Sequence, residues 1–230
     1  MPAYRRYDLS SICFEQRRRL CEALGANCVV IADDVNLDIA RAKGFDVVEC
    51  DNQYLGKRFN EGHEYAFKHG ATHTVPVGSD MWILPKMFEN LLDQFSTNIS
   101  YAITEPFGEE MLALTIPWGV LQIFPRKIVE KLGFRPCLDD IKRRCDMTSR
   151  ERLEIDDSEI RKYTVDPLEV TSFQSGKTQM TKSYNLKREH PLNKRVLDLN
   201  NITVVLRAVF DNDLVDRIEE YYKTGLSQIS

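Results

Sequence analysis

The chain has 230 residues, of which 43% are hydrophobic and 29% charged, and a net charge of −4. That size fits one large domain, and the acidic balance excludes a molecule that binds polyanions over its whole surface. No apolar run approaches the length of a membrane span, and the polar start MPAYRRYDLS lacks the apolar core of a signal peptide.

Asp8–Leu24 has the spacing of an amphipathic helix. Leu9, Ile12, Cys13, Leu20 and Leu24 form its apolar side, with Asp8 or Ser10 as cap and Gly25 as stop. Arg17, Arg18 and Arg19 read as a solvated face. Cys28–Ala32 (CVVIA) is a β-branched run of the kind found in buried parallel strands, and Asp33 and Asp34 follow it. A short helix over Asp38–Lys43 and a second strand over Phe45–Glu49 come next. This alternation predicts a mostly parallel sheet covered by helices, an α/β fold.

Tyr54–Pro85 is the most informative stretch. A polar turn with Gly56, Lys57 and Asn60 opens a helix that Gly70 ends. Thr72–Val77 reads as a short buried strand that stops at Gly78-Ser79-Asp80, and Pro85 starts the next helix, over 86–95. Further on, Ile99–Thr104, Met111–Ile116 and Val120–Phe124 read as strands. Pro125 opens a short helix that Gly133 terminates. Arg135–Lys162 is highly charged and is expected to hold one or two short helices. A strand is expected in LEVTSF (168–173), and Asp211 is expected to cap a C-terminal helix. Residues 174–195 carry six Lys/Arg against one acid, Glu189, and read as a mobile basic surface segment.

The six cysteines (Cys13, Cys21, Cys28, Cys50, Cys137, Cys145) form no CxxC pair, and they read as reduced core thiols of a cytoplasmic protein. There is no P-loop, no GxGxxG fingerprint and no GxSxG elbow. His63 and His69 read as helix-surface residues. His190, in the basic segment, is the one histidine considered as a metal ligand.

Carboxylates at strand ends can hold a hard divalent cation that clamps a diphosphate, or can accept hydrogen bonds from a base or ribose. Asp33, Asp34 and Asp80 fall at such ends. Each alone reads better as a turn residue or helix cap, and the three at successive sheet ends favour the ligand-holding reading. Lys57 and Arg58 could meet phosphates, with Gly56 allowing close backbone approach.

CVVIADDVNLDIA followed by NQYLGKRFNEGHEYAFKHGATHTVPVGSDMWILP resembles the nucleotide-sugar half of GT-A-fold glycosyltransferases. It is most similar to small phage-type members of the family-2-like group. Their pattern is a strand ending in an acid, then LGxKFNxGxxxA, then a strand ending in GSDD. WGVLQIFPRKIVEKLGF and LDDIKRRCDMTSRERL extend the likeness over residues 2–152. The resemblance implies a Rossmann-like GT-A domain over 1–230. Its residues 1–98 would bind the nucleotide sugar, and 99–230 the acceptor, with the basic loop 174–195 on that side. It implies Asp33 and Asp34 near the base or ribose, Lys57, Asn60 and Ser79 around the nucleotide, and Asp80 on the ribose or the metal. Asp139, Asp140 or Asp146 would be the acceptor-side base.

The implied donor is a nucleoside-diphosphate sugar, in first place a UDP-sugar, with Mn or Mg. The implied setting is the cytoplasm, that of a host cell if the protein is phage-encoded. Met81 stands where the family often has a second Asp, so metal binding would rest on Asp80. The opening MPAYRRYDL resembles the exit of the family's first strand. The acceptor could be a glycan, a lipid-linked sugar or a hydroxymethylated base in phage DNA, which the basic segment favours. Two rivals stand beside this reading. One is a non-catalytic nucleic-acid-binding module with a degenerate pocket. The other is a nucleotidyltransferase, whose Gly-rich basic loop is missing from this sequence.

Overall fold

The computed structural model describes residues 1–3, 7–85, 101–106, 122–142, 145–154, 160–165, 170–172 and 206–227. The expected elements at 86–95 and 111–116, the basic stretch 174–195 and His190 lie outside the described residues.

The first half alternates as its sequence pattern requires. α1 (Tyr7–Leu24) is followed by β1 (Val29–Ala32), α2 (Asn36–Ala42), β2 (Asp46–Glu49) and α3 (Leu55–Lys68). β1 and β2 are parallel, with Val29 opposite Asp46 and Ala32 opposite Glu49. Met1–Ala3 lies along the other edge of β1. Pro2 forms a parallel bridge with Ile31, Ile31 N–H donates to Met1 O at 3.0 Å, and Ala3 N–H donates to Ile31 O at 2.9 Å. The N-terminal residues thus flank β1 through one isolated bridge without forming a strand of their own.

Beyond Gly70 the expected strand over Thr72–Val77 shrinks to β3 (His73–Thr74). Pro76 has no N–H to give a ladder, which is why the pairing stops early. β3 pairs antiparallel with β6 (Gln122–Pro125), β6 with β5 (Tyr101–Pro106), and β5 runs parallel to β7 (Ile160–Val165). β4 (Met81–Ile83) pairs antiparallel with β8 (Val170–Ser172). Pro125 precedes the short α4 (Arg126–Val129), which tightens into a 3-10 turn, Glu130–Leu132. α5 spans Cys145–Leu153 and α6 spans Asn212–Ser227.

α1 is buried on two sides. Leu9, Ile12 and Cys13 pack with Trp82 and with Leu214, Val215 and Ile218 of α6. Phe14 joins Val30, Ala32, Leu37 and Ala40. The arginine run on α1 is split by this packing. Arg19 reaches Asp211 and Asp213 at 2.5 and 2.7 Å, fastening α1 to α6. Arg17 is 3% exposed, so the expected solvated face does not include it. Its Nη2 donates to Met81 O at 3.1 Å, and Gln16 Nε2 donates to Ile83 O at 2.7 Å. Residues 81 and 83 point their carbonyls the same way along β4, so two α1 side chains cover that strand edge as a neighbouring strand would.

Candidate functional site

The candidate site lies where the chain leaves β1 and β2. Asp33 is exposed there, and its Oδ2 accepts the backbone N–H of Asn52 at 2.8 Å, tying the two strand exits together. Asp34 has a local task. Its Oδ1 accepts the backbone N–H and the side-chain amide of Asn36 at 2.9 and 2.8 Å, which starts α2. Lys57, in the first turn of α3, forms an ion pair with Asp51. The Asp51 hydrogen bond raises the Lys57 pKa, and both side chains stay open to solvent. Asp51 and Asn52 did not stand out in the sequence. Their signal is the polar Asp-Asn-Gln turn after a strand.

The start of α3 is closed by the chain itself. Gly56 N–H donates to Ile141 O at 3.0 Å and Lys57 N–H to Asp139 O at 3.2 Å. A Cβ on Gly56 would stand 1.9 Å from Leu138 O. The close approach that Gly56 permits is thus to the 138–141 turn, not to a phosphate. Arg58 turns inward as well. It is 1% exposed, and its guanidinium donates to Ala3 O, to Ile31 O at 2.6 Å and to Asn52 Oδ1. It bridges Met1–Ala3 and β1 and presents no face to a phosphate.

Asn60 is fully buried and does not line an open pocket. Its amide donates to Cys137 O at 2.9 Å and to Asp139 Oδ1 at 2.7 Å, and its Oδ1 accepts Cys137 N–H at 2.8 Å. Asp139 Oδ1 also accepts Arg135 Nη2 at 2.8 Å. Burial alone would raise the Asp139 carboxyl, but the bonds from Asn60 and Arg135 outweigh it and hold it below its ordinary value. Arg135 further pairs with Glu61 and Glu64 at 3.1 and 2.6 Å, pinning the 135–141 segment to α3. Asp140 is exposed on the same turn. Asp146 falls on α5, and its side chain is outside the described residues.

Ser79 is buried at 5% and Asp80 half-buried, in the turn that opens β4. Asp80 Oδ1 lies 2.7 Å from where a Cβ on Gly78 would stand, so the carboxylate folds back over that glycine. Met81 is 4% exposed, and its sulfur sits 3.4 Å from Gly78 N. It packs into the turn. Among the described residues no three His, Cys, Asp or Glu gather closely enough to hold a metal ion. Asp33, Asp34 and Asp80 therefore make no three-carboxylate centre. One ties two strand exits, one starts α2 and one opens β4.

The histidines differ from expectation in one case. His63 is 3% exposed, bonded through Nδ1 to Thr74 Oγ1 at 2.7 Å and set edge-on to Phe124 with ring centres 4.8 Å apart. Burial lowers its pKa to about 3, so it is a neutral core residue, not a surface one. It lines a cavity of about 500 Å³ between the start of β1, the last turns of α1 and α3, and residues 71–77. That cavity lies at the opposite end of β1 from Asp33.

No protein-family model matches the chain, and no curated protein matches it. Solved structures share its fold. A mannosyltransferase from Pyrobaculum calidifontis, solved with GDP-Man and Mn2+, is similar with a TM-score of 0.52 and 13% identity, over 90% of this chain and 71% of that one. A CMP:2-keto-3-deoxy-manno-octonic acid synthetase complexed with CTP is similar with a TM-score of 0.51 and 12% identity, over 77% and 88% of the two chains. A nucleotide-diphospho-sugar transferase of Desulfovibrio desulfuricans G20, so described provisionally, aligns with a TM-score of 0.49 and 14% identity over 88% and 85%. The fold is α/β of the GT-A type. No described helix is long and apolar enough to cross a membrane.

Proposed function

We propose that the chain transfers a glycosyl group from a nucleoside-diphosphate sugar to an acceptor hydroxyl. The observation that supports this reading most is a fold shared with a GDP-Man-bound mannosyltransferase, with an exposed Asp33 and a solvent-open Lys57 at adjoining sheet exits. Ligands of open α/β sheets bind beyond such exits.

In this reading Asp33 accepts hydrogen bonds from the ribose or base. Lys57 exchanges Asp51 for the diphosphate, whose negative charge is greater. Asp80, with Ser79 shaping its turn, faces the ribose or a divalent ion. Asn60 acts by fixing the 137–141 turn. The described residues offer one candidate carboxylate, Asp80, where a hard cation takes about six oxygens. The described residues alone do not complete such a site. The acceptor oxygen attacks the anomeric carbon as its bond to the diphosphate breaks. With inversion a carboxylate takes the hydroxyl proton, and exposed Asp140 suits that role better than Asp139, which Asn60 and Arg135 already occupy. Residues 1–98 form the donor half and 99–230 the acceptor half. The basic composition of 174–195 favours a polyanionic acceptor such as hydroxymethylated DNA over a neutral glycan.

The test is thermal unfolding with UDP-, GDP- and CMP-sugars, each with Mn²⁺, Mg²⁺ or chelator. A ligand at about 100 times its Kd adds about 2.7 kcal/mol of stability. A UDP-sugar is expected to give the largest shift, and Asp33→Ala and Asp80→Ala to remove it while both variants remain folded. The absence of a shift with every donor, together with no nucleoside diphosphate released over glycan and DNA acceptors, would sink the proposal. Pyrophosphate released from CTP and a sugar acid would move the chain to nucleotidyl transfer.

A further inference from the structure

Two cysteines meet at the end of β1 remote from the candidate donor site. Gly25, Ala26 and Asn27 reverse the chain between α1 and β1, and Ala26 N–H donates to Cys21 O at 3.0 Å to close the turn. The reversal sets Cys21, in the last turn of α1, near Cys28, the residue before β1, and the two thiols shift each other's pKa. Both line the cavity of about 500 Å³, whose rim at Gly25–Asn27 is exposed. Both are half-buried, whereas Cys13, Cys50, Cys137 and Cys145 are buried.

The surroundings favour an anion on Cys28. Arg17, one turn before Cys21, lines the same cavity, and its buried guanidinium has one hydrogen-bond acceptor among the described residues, Met81 O. A buried cation short of partners stabilises a nearby anion. Cys21, and after it the Met1 ammonium and Arg17, hold the Cys28 thiol below its ordinary value against burial and against Asp46 on β2. Cys21 is pushed up, by Cys28, by burial and by Glu22. His63, also on the cavity wall, is neutral.

We propose that Cys21 and Cys28 form a hydroperoxide-reactive dithiol, with Cys28 as the attacking thiolate and Cys21 as the resolving thiol. Cys28 sulfur attacks one peroxide oxygen. The O–O bond breaks, the departing alkoxide takes a proton and leaves as an alcohol, and Cys28 becomes a sulfenic acid. Cys21 sulfur then attacks the Cys28 sulfur. The S–S bond forms, the S–OH bond breaks, and the hydroxide leaves as water with the Cys21 proton. The two thiols together lose two electrons, which the peroxide accepts.

Both cysteines fall in one tryptic peptide, Leu20–Arg41. The full-length reduced protein is treated with a limiting amount of hydrogen peroxide, alkylated and digested. The expected result is that this peptide becomes lighter by two hydrogens and resists alkylation, that dithiothreitol reverses both changes, and that the other four cysteines still alkylate. The same treatment in urea should abolish the selectivity. Cys21→Ser should leave Cys28 as a sulfenic acid that dimedone labels, and Cys28→Ser should stop the reaction. Native wild-type protein that leaves the peptide unchanged, or that oxidises all six cysteines alike, would overturn the proposal whether or not the variants fold.

Discussion

Asn60 and Cys137 exchange two hydrogen bonds across α3 and the turn beyond α4. Cys137 N–H donates to Asn60 Oδ1 at 2.8 Å, and Asn60 Nδ2 donates back to Cys137 O at 2.9 Å. A side-chain amide thus replaces a strand neighbour for a buried backbone unit, and it does so next to the candidate site.

Asn60→Ala strands that N–H in the interior, while the C=O keeps its bond from Arg152 Nη1. One unsatisfied buried group costs about 1–3 kcal/mol, and a loss of that size is expected. Urea unfolding should show a lower midpoint with an unchanged slope. A midpoint within error of the wild type would mean that water reaches Cys137 and that the amide does not hold the turn.

Gly56→Ala sets two effects against each other. Alanine is the better helix former by about 1 kcal/mol. Its Cβ, however, would lie 1.9 Å from Leu138 O and 2.7 Å from Ile141 Cγ1. The first contact is with backbone and cannot be relieved by a rotamer, so the 138–141 turn must lift and release its bonds to the start of α3. We expect net destabilisation of about 1–3 kcal/mol by urea unfolding. A stabilised variant would show that the turn shifts freely.

The elements were legible where one physical signal dominated. CVVIA announced β1 by its β-branched run, and the alternation with amphipathic helices announced a parallel sheet. β7 was missed because IRKYTV carries Arg161 and Lys162 inside the strand, so no apolar run marks it. The site was less legible because polar residues on buried stripes carry no hydrophobic signal. Gly56, Asn60, His63 and Phe67 follow helical spacing and are all buried, as are Cys13, Arg17 and Leu20 on α1. The phase was visible in the sequence. What each polar member bonds to was not, because Asn60 meets a residue 77 positions away and Arg17 one 64 positions away.

His63 makes stability depend on pH. Burial first, then the Met1 ammonium, lowers its folded pKa to about 3, from an ordinary value of 6.5. The unfolded chain therefore binds a proton that the folded chain refuses. Stability is full above the unfolded value and falls as the pH drops through the interval between the two, by about 1.4 kcal/mol per unit. The Met1 amine, lowered to about 6, completes its own differential titration in this range with the same sign, a contribution that wild type and variant share, and Glu15, held at about 2 first by its Arg18 bond, begins to contribute only below 4.5. His73, lowered by partial burial, acts in the same direction. Between about pH 6 and pH 5, wild-type protein should lose roughly 1 kcal/mol more than His63→Asn in paired urea titrations. Parallel curves would mean that His63 is protonated in the folded state.

Gly78→Ala tests the Asp80 assignment without touching Asp80. A Cβ at this position would stand 2.7 Å from Asp80 Oδ1 and 3.3 Å from the Met81 sulfur. The crowded Asp80 atom is the end of a short side chain, so the strain can be relieved by rotating the carboxylate away from the turn, with little disturbance of the core. The contrast with Gly56 is in what is struck: a movable carboxylate here, a backbone carbonyl there. We expect Gly78→Ala to unfold within about 1 kcal/mol of the wild type, the usual cost of a change that creates no buried defect. If Asp80 faces the ribose or a divalent ion, turning its carboxylate should weaken the binding of the preferred nucleotide sugar by about tenfold, or about 1.4 kcal/mol. Calorimetric titration with that donor, with and without Mn²⁺, reads both possibilities. A loss confined to the Mn²⁺ arm assigns the carboxylate to the ion, and an equal loss in both arms assigns it to the nucleotide. Unchanged affinity in both arms, in a variant whose melting curve matches the wild type, would remove Asp80 from the site.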